Sequence, residues 1–230
     1  MSSVGKKRPT SALLVREKFP FSNFFPRKKA RPMLESATIR TLDESQIDAT
    51  LDREIRRFLV ETFPNWADIF RTRRAWHDAR PIRTVLATVP ASEPSPASSE
   101  RSGVGVDFRV VGHVAVVERT VTTCWNWRYA VAGVQGVSVA PDFRKTGLST
   151  RLLDVALAES TALGYPFAVL FCREPLVPFY ERNGWRLPND SMIMWKDREL
   201  PIHMQSNCPM YRELSGETFP EGPIDVHNPF

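Results

Sequence analysis

The residues most suited to chemistry lie in one stretch, residues 137–150, which reads V-S-V-A-P-D-F-R-K-T-G-L-S-T. A strand-like run ends at Ala140, a short turn carries Arg144, Lys145 and Gly147, and a helix-like pattern follows at once. The first amides of a helix have no internal partners and lie at the positive end of its dipole, so they bind phosphate. Gly147 lets a diphosphate approach the backbone, and the two basic side chains add charge. The alternative is an ordinary strand-to-helix turn with a solvated Arg-Lys pair.

Two segments together resemble the GNAT superfamily of acyl-CoA N-acyltransferases. R-K-T-G-L-S (144–149) is similar to the family's Q/R-x-x-G-x-G/A pyrophosphate signature, and P-F-Y-E-R-N-G-W (178–185) is similar to its A-x-x-F-Y-x-x-x-G-F element. They occur in the family's order and at about its spacing, with a strand between them. The resemblance covers residues 36–200. It departs at Ser149, where Gly or Ala is usual, but serine is small and we expect no loss of binding.

The resemblance implies an α/β fold of the GNAT type, in which helices flank a central mixed β-sheet that is partly splayed. It also implies acetyl-CoA, or another acyl-CoA, as co-substrate. Backbone groups of Val137 and Val139 would pair with the pantetheine arm. A backbone N–H near Val137 would donate to the oxyanion, an interaction worth about 2.7–4 kcal/mol in the transition state. The residues implied to hold the cofactor are Val137, Val139, Arg144, Lys145, Thr146, Gly147, Leu148, Ser149 and Thr150.

Tyr180 matches the tyrosine that many family members use as a general acid. The departing thiolate of CoA needs a proton, and a phenol with a pKa near 10 supplies it when it is well placed. The alternative is a core tyrosine that packs between Phe179 and Trp185.

The general base is harder to assign. An amine acceptor with a pKa near 10.4 is mostly protonated at neutral pH, so a group must take its proton. Several relatives place a glutamate on the fourth strand just before the bulge, and here Gln135 stands at that position. Glutamine does not accept the proton, but it can hold a water molecule that does. Glu118 and His113, on the preceding strand, are alternatives, and each also has a purely structural interpretation.

Hydrophobic spacing predicts the elements that position these residues. Strands are predicted over 38–42, 82–89, 110–121, 129–139 and 167–172, with a further one opening at Trp185, and helices over 47–63, 67–77, 146–163 and 176–182. Gly133 and Gly136 lie inside a strand, which indicates a bulge or a close backbone approach. The alternation of strands and helices in the second half favours one mixed-sheet α/β domain.

Charge and composition divide the chain of 230 residues unevenly. Residues 1–32 carry nine Lys and Arg against Glu17 alone, although the formal charge of the whole chain is only +5. We therefore predict a basic, disordered arm over 1–35 and a single domain over 36–230. The arm is either a solvated tail or a weak contact for nucleic acid or acidic membrane. Residues 90–103, rich in Pro, Ser and Glu, are predicted to form a mobile loop.

The three cysteines, Cys124, Cys172 and Cys208, form no C-x-x-C pair, and the four histidines are scattered. This pattern predicts a reducing, cytoplasmic setting and no metal site. No apolar run approaches the roughly 18–20 residues that span a bilayer.

A narrower resemblance concerns the acceptor. The segments G-V-Q-G-V-S-V-A-P-D-F-R and Y-E-R-N-G-W, with the chain end F-P-E-G-P-I-D-V-H-N-P-F, are similar to aminoglycoside 2′-N-acetyltransferases and, more loosely, to nodulation acyltransferases. The resemblance implies that residues 200–230 line the acceptor site, where Asp225, His227 and the Phe230 carboxylate would meet a cationic acceptor. The alternative is a frayed C-terminus.

Three functional hypotheses remain open from the sequence. The first is an enzyme that transfers an acyl group to the primary amine of a small molecule, such as an amino sugar, and that forms a homodimer. The second is a protein or peptide N-acetyltransferase. The third is a non-catalytic acyl-CoA-binding regulatory module. Tyr180 favours an enzyme, whereas the lack of an obvious carboxylate base keeps the third hypothesis open.

Overall fold

The computed structural model describes residues 37–91, 108–189, 192–196, 200–202 and 207–226. The predicted arm over 1–35, most of the predicted loop over 90–103, and the C-terminal residues His227 and Phe230 lie outside the described residues. Within the described residues, nine strands form one mixed sheet that is flanked by helices. The predicted α/β class with a mixed sheet is confirmed.

The elements follow the predicted order up to the fourth helix. The first half contains β1 (Thr38–Leu42), α1 (Ala49–Thr62), α2 (Ala67–Phe70), β2 (Pro81–Pro90), β3 (Phe108–Thr123) and β4 (Arg128–Val139). The second half contains α3 (Leu148–Ala162), β5 (Phe167–Arg173), α4 (Val177–Arg182), β6 (Met192–Lys196), β7 (Leu200–Ile202), β8 (Asn207–Glu213) and β9 (Ile224–Val226).

The main sheet has the order β1-β2-β3-β4-β5-β8, and only the β4–β5 pair in this series is parallel. β9 pairs with the last residues of β3, beyond the stretch that pairs with β2, and it is parallel to β6. Asp225 therefore lies in a sheet strand opposite Thr122.

The helices cover opposite faces of the sheet. Asp48 caps α1 by accepting hydrogen bonds from the amides of Thr50 and Leu51, and α1 then buries Ile55, Phe58 and Leu59. α3 buries its apolar side on the other face, where Leu152 lies against Gly112 of β3. β3 is apolar at consecutive positions because both of its faces are covered.

Two predicted elements are wrong. The helix predicted over 67–77 ends at Phe70, because the chain turns back so that Trp76 packs edge-on against Phe70, with ring centroids 4.6 Å apart. The strand predicted to open at Trp185 is reduced to a single bridge between Arg186 and Tyr211. Pro188 follows closely and has no N–H with which to extend that ladder.

Two further sequence features are described by the structure. No helix within the described residues combines the length and apolar character needed to cross a bilayer. Cys124, Cys172 and Cys208 are all free thiols. The cytoplasmic location inferred from the cysteines stays a prediction.

Candidate active site

The parallel strands β4 and β5 separate at their carboxyl ends. They pair only at Ala132 with Ala168 and at Gly133 with Val169, although β4 continues to Val139. β5 likewise continues to residue 173 without further pairing to β4. Open α/β sheets bind ligands in the crevice outside the carboxyl ends of such strands. The gap between the two strands is therefore the candidate cofactor cleft, and it corresponds to the splay that the family resemblance implies.

The loop after β4 connects it to the amino end of α3. Gly147 is the N-cap of α3 and has a φ of +88°, a left-handed conformation that favours glycine. No side chain caps this end, and the first turn contains no acidic residue. The first amides of a helix have no intrahelical acceptor, so this end presents uncapped donors and a partial positive charge.

The side chains of the loop divide into structural and exposed groups. Thr146 donates its hydroxyl to the carbonyl of Phe143, at 2.6 Å, and so closes the loop on itself. Arg144 and Lys145 are exposed, and Asp142 is paired with Arg109 at 2.6 Å. Leu148 is buried in the core, whereas Ser149 and Thr150 are half-buried in the first turn of α3. The loop thus offers backbone donors and two basic side chains to an anion.

Replacing Gly147 with aspartate is expected to weaken CoA binding at least tenfold, which is about 1.4 kcal/mol. A Cβ at this position meets no atom within 4 Å, so the main effect is the negative charge placed at the helix end. Gly147→Asn is the matched control, because asparagine has the same shape, tolerates the left-handed conformation and is uncharged. Calorimetry with CoA measures both variants. Equal affinities for the folded Asp and Asn variants would place the pyrophosphate elsewhere.

β4 contains the predicted bulge. His113 of β3 is opposite Ser138, and Ala115 is opposite Gln135, so that Gly136 and Val137 together face the single residue between them. Gly136 has a φ of +60°, which fits a bulge built on a left-handed glycine. Gly133, the other glycine of the strand, keeps regular pairing on both sides.

Two buried side chains hold the carbonyl of Gly136. The His113 Nδ1 lies 3.0 Å from the carbonyl oxygen, and the Ser138 hydroxyl donates to the same oxygen at 3.0 Å. No peptide bond in the described residues is cis. In a trans peptide the C=O and the following N–H point in opposite directions. The amide N–H of Val137 therefore points away from His113.

His113 is fully buried and serves as a donor. Because a carbonyl only accepts hydrogen bonds, the Nδ1 must carry the proton, and the bare Nε2 is buried without a partner in the described residues. Burial lowers the pKa of His113 to about 4, with a smaller contribution from the nearby Arg74 guanidinium, although the bond to Gly136 opposes the shift. A buried ring that donates its Nδ1 proton to the backbone is poorly placed to act as a general base, which was one of the roles open to His113 from the sequence.

The pKa of His113 predicts a dependence of stability on pH. The folded-state value of about 4 lies below the usual value of 6.5, so the unfolded chain binds the proton first as the pH falls. We expect the free energy of unfolding to decrease between pH 6.5 and 4, with His113 contributing about 3 kcal/mol to the loss. Denaturant titrations at several pH values should show a smaller loss for His113→Asn. Identical pH slopes for the two proteins would contradict the prediction.

Gln135 ties the bulged strand to the turn after α2. Its Oε1 accepts a hydrogen bond from the backbone N–H of Trp76, at 3.0 Å. Its Nε2 is buried, and no partner for it is found in the described residues. The same holds for Arg74 Nη1, which lies on the same turn, although the Arg74 Nε is paired with Asp52 at 2.8 Å and its Nη2 is paired with Glu44. The water-holding role of Gln135 stays a prediction.

Glu118 lies on the opposite face of the sheet from Gln135. In the ladder, Glu118 is opposite Ala132, and Ala115 is opposite Gln135. Glu118 and Ala115 are three residues apart on β3. Because side chains alternate along a strand, they face opposite sides of the sheet. Its carboxylate accepts a hydrogen bond from the Tyr165 hydroxyl at 2.7 Å, and burial, together with this bond, raises the pKa of Tyr165 to about 12. The structure therefore separates Glu118 from the bulge.

Tyr180 lies on α4, which begins where β5 ends. The residue is buried, with its ring against Phe179 and Trp185 at centroid distances of 5.0 and 6.1 Å. Burial, with a smaller effect of Cys172, raises the pKa of Tyr180 above its usual range, so the phenol stays protonated at neutral pH. No hydrogen bond from its hydroxyl to another described residue is found. A protonated phenol is a hydrogen-bond donor.

The parallel register brings the two predicted halves of the site together. Continuing the β4–β5 register from Gly133 and Val169 places the bulge at Gly136 across the gap from Cys172. Cys172 is the neighbour that acts on the pKa of Tyr180. Val137 packs against the large hydrophobic core cluster that includes Tyr180.

Sequence reasoning missed Ser138 and Trp76. Ser138 is a buried polar residue within the run V-S-V, and a hydroxyl in an apolar strand was the available signal. Trp76 gave no comparable signal, because its contact to Gln135 uses only the backbone. No cluster of three or more His, Cys, Asp or Glu suited to a metal ion is found among the described residues.

Comparisons with known proteins find one matching family and similar solved structures. The model of the "Acetyltransferase (GNAT) domain" family matches residues 38–187. No curated protein matches the sequence significantly. Among solved structures, the GNAT family N-acetyltransferase YhbS from Escherichia coli, in complex with CoA, is 16% identical with a TM-score of 0.51, covering 84% of this chain and 90% of its own. A GNAT family acetyltransferase from Brucella melitensis, in complex with acetyl-CoA, is 18% identical with a TM-score of 0.47, covering 83% and 96%.

Proposed function

This chain belongs to the GNAT family of acetyltransferases, and on that premise we propose that it transfers an acetyl group from acetyl-CoA to the primary amine of a small molecule. The observation that carries the proposal is the continuity of three features along one chain segment. The bulge at Gly136, the end of β4 and the uncapped amino end of α3 follow one another within residues 136–150.

CoA binding uses the two ends of that segment. The pyrophosphate would lie against the first amides of α3, with Arg144 and Lys145 at its side, because these donors have no intrahelical acceptor. The pantetheine arm would run along the gap between β4 and β5 and pair with backbone groups of Val137 and Val139, as an added strand does. The thioester then reaches the bulge.

The chemistry is addition followed by elimination. The neutral amine adds to the thioester carbonyl, forming the C–N bond and placing negative charge on the oxygen. The Val137 N–H donates to that oxygen, an interaction whose loss costs about 10²–10³ in kcat in other acyl transfers. The C–S bond then breaks, and the Tyr180 hydroxyl gives its proton to the departing thiolate. The nitrogen, which carries an extra proton after the addition, returns that proton to the Tyr180 phenolate through water, so that neutral amide and free CoA leave.

The acceptor amine must lose a proton before it attacks. Neither of the sequence candidates Glu118 and Gln135 supplies a carboxylate at the bulge, since Glu118 lies on the other face and Gln135 is an amide. We propose that a water molecule takes the proton and that Gln135 holds it through its unpaired Nε2 donor. This step needs no charged base.

The acceptor class is proposed from the narrower resemblance. The similarity to aminoglycoside 2′-N-acetyltransferases favours an amino sugar, whose ammonium group is attracted to a carboxylate. Asp225 belongs to the predicted acceptor segment over 200–230. It lies on β9 and is half-buried. A homodimer, and a weak nucleic-acid contact through the basic arm, stay predictions.

The test is an acceptor panel with acetyl-CoA. Aminoglycosides, glucosamine, simple polyamines and a lysine-containing peptide are each incubated with the purified protein, and free thiol and the mass of the acceptor are measured. We expect thiol release together with an acetylated amino sugar. Acetylation of the peptide alone would overturn the small-molecule proposal, and CoA binding without transfer to any amine would favour a non-catalytic module.

A further inference from the structure

One buried polar side chain beside the bulge is not used by the proposed reaction. His113 is a polar residue in the middle of an apolar strand, and its relative exposure is 0%. A buried histidine must find partners for its ring nitrogens or lose free energy. Among the described residues, its Nδ1 has one hydrogen-bond partner, the carbonyl of the bulge.

The packing around the bulge is tight on the same side. A Cβ added at Gly136 would lie 3.1 Å from both Nδ1 and Cε1 of His113, closer than nearly all real Cβ contacts. The ring therefore lies directly against the backbone of Gly136. It contacts the one peptide of β4 that leaves the regular ladder, since Gly136 has a positive φ.

The orientation of the Gly136–Val137 peptide sets the direction of both its carbonyl and its N–H. Its carbonyl side is fixed by His113 and Ser138, and its N–H side belongs to Val137. Because the peptide is planar and trans, rotating the carbonyl away from His113 rotates the Val137 N–H by the same angle. A donor to the oxyanion acts only when it lies about 2.7–3.1 Å from the developing charge.

We propose that His113 is a positioning residue, which fixes the Gly136–Val137 peptide so that the Val137 amide is aimed at the oxyanion. This inference rests on the proposed acetyl transfer and gives it a residue outside the cofactor loop. His113 acts through its Nδ1 proton as a permanent donor, and it exchanges no proton with the substrate.

The test compares two substitutions at His113. Asparagine places an amide N–H close to where Nδ1 lies, whereas leucine keeps bulk and removes the donor. We expect His113→Leu to lower kcat at least tenfold and to leave the Kd for CoA within about threefold, because the affected donor acts on the transition state. We expect His113→Asn to retain kcat within about threefold of the wild type. Both variants should keep the shape of the wild-type pH–rate profile.

Each other outcome contradicts the inference. If folded His113→Leu keeps near-normal kcat, the ring is only packing. If both variants lose the acidic limb of the pH–rate profile alike, His113 is a base. If the His113→Leu variant does not fold, the His113→Gln variant is used in its place. The longer glutamine side chain carries its amide past the Gly136 carbonyl, so the same loss of kcat is expected.

A second readout does not need activity. Nitrogen-15 NMR of the imidazole in the full chain should show a neutral ring protonated at Nδ1 at pH 7. A ring protonated at Nε2 would overturn the inference even if the protein transfers acetyl groups. Conversely, a protein with the expected tautomer that acetylates no amine would refute the proposed function and leave the Nδ1–Gly136 contact established.

Discussion

Replacing Tyr180 with phenylalanine is expected to lower kcat by about 10²–10⁴ when chemistry limits the rate. The change removes only the hydroxyl, so the packing of the ring against Phe179 and Trp185 is retained. CoA affinity should barely change, because the proton matters only as the thiolate develops charge. Steady-state kinetics and calorimetry with CoA measure the two effects separately.

The matched control is Tyr165→Phe. Tyr165 is also buried, but its hydroxyl donates to Glu118 at 2.7 Å on the α3 side of the sheet. We expect this variant to lose some stability and to keep its kcat. Because burial raises the pKa of Tyr180, its proton remains available at neutral pH, and the high-pH limb of the wild-type rate profile should flatten or move in Tyr180→Phe. Near-normal kcat in Tyr180→Phe would make the residue part of the core and leave water or Cys172 as the proton source.

Replacing Gly136 with alanine is expected to lower kcat by about 10²–10³, the loss that follows removal of one oxyanion donor. The added methyl group would lie 3.1 Å from the His113 ring, and the φ of +60° is unfavourable for alanine. The peptide must shift to relieve both, and the Val137 N–H shifts with it. Single-turnover acetyl transfer measures the loss.

Gly164→Ala controls for the backbone effect. Gly164 follows α3, has a φ of +84°, and a Cβ there meets no atom within 4 Å. Both variants pay a similar conformational cost of about 1–2 kcal/mol, which thermal unfolding reports. Both variants should therefore lose a similar amount of stability, and only Gly136→Ala should also lose kcat. Equal kcat values for the two folded variants would show that the bulge does not hold a catalytic donor.

The sequence predicted the parts of the site that follow from local rules. The hydrophobic spacing and Gly147 predicted the strand, the turn and the helix around that glycine. Gly136, inside an apolar strand, predicted the bulge. Both features are set by backbone conformation within a few residues. Helix α3 was predicted within two residues at each end for the same reason.

The parts that depend on distant contacts were not predictable in the same way. The helix predicted over 67–77 ends early because Trp76 packs on Phe70 and its N–H binds Gln135, which is remote in sequence. Glu118 and His113 were equivalent candidates for a base in the sequence. Their odd separation in the predicted strand already places them on opposite faces. Which of the two faces lies beside the bulge, and the partner Tyr165 of Glu118, depend on the ladder register and on tertiary contacts, which periodicity does not specify.

A crystal structure of the protein with CoA tests the central claim most directly. We expect the pyrophosphate against the amides of residues 145–150, the pantetheine in the gap between β4 and β5, and the sulfur within about 3.5 Å of the Tyr180 hydroxyl, the reach of a hydrogen bond to a thiol. The Val137 N–H should point into the space beside that sulfur. CoA bound elsewhere, or a sulfur remote from both Tyr180 and Val137, would contradict acetyl transfer at this site.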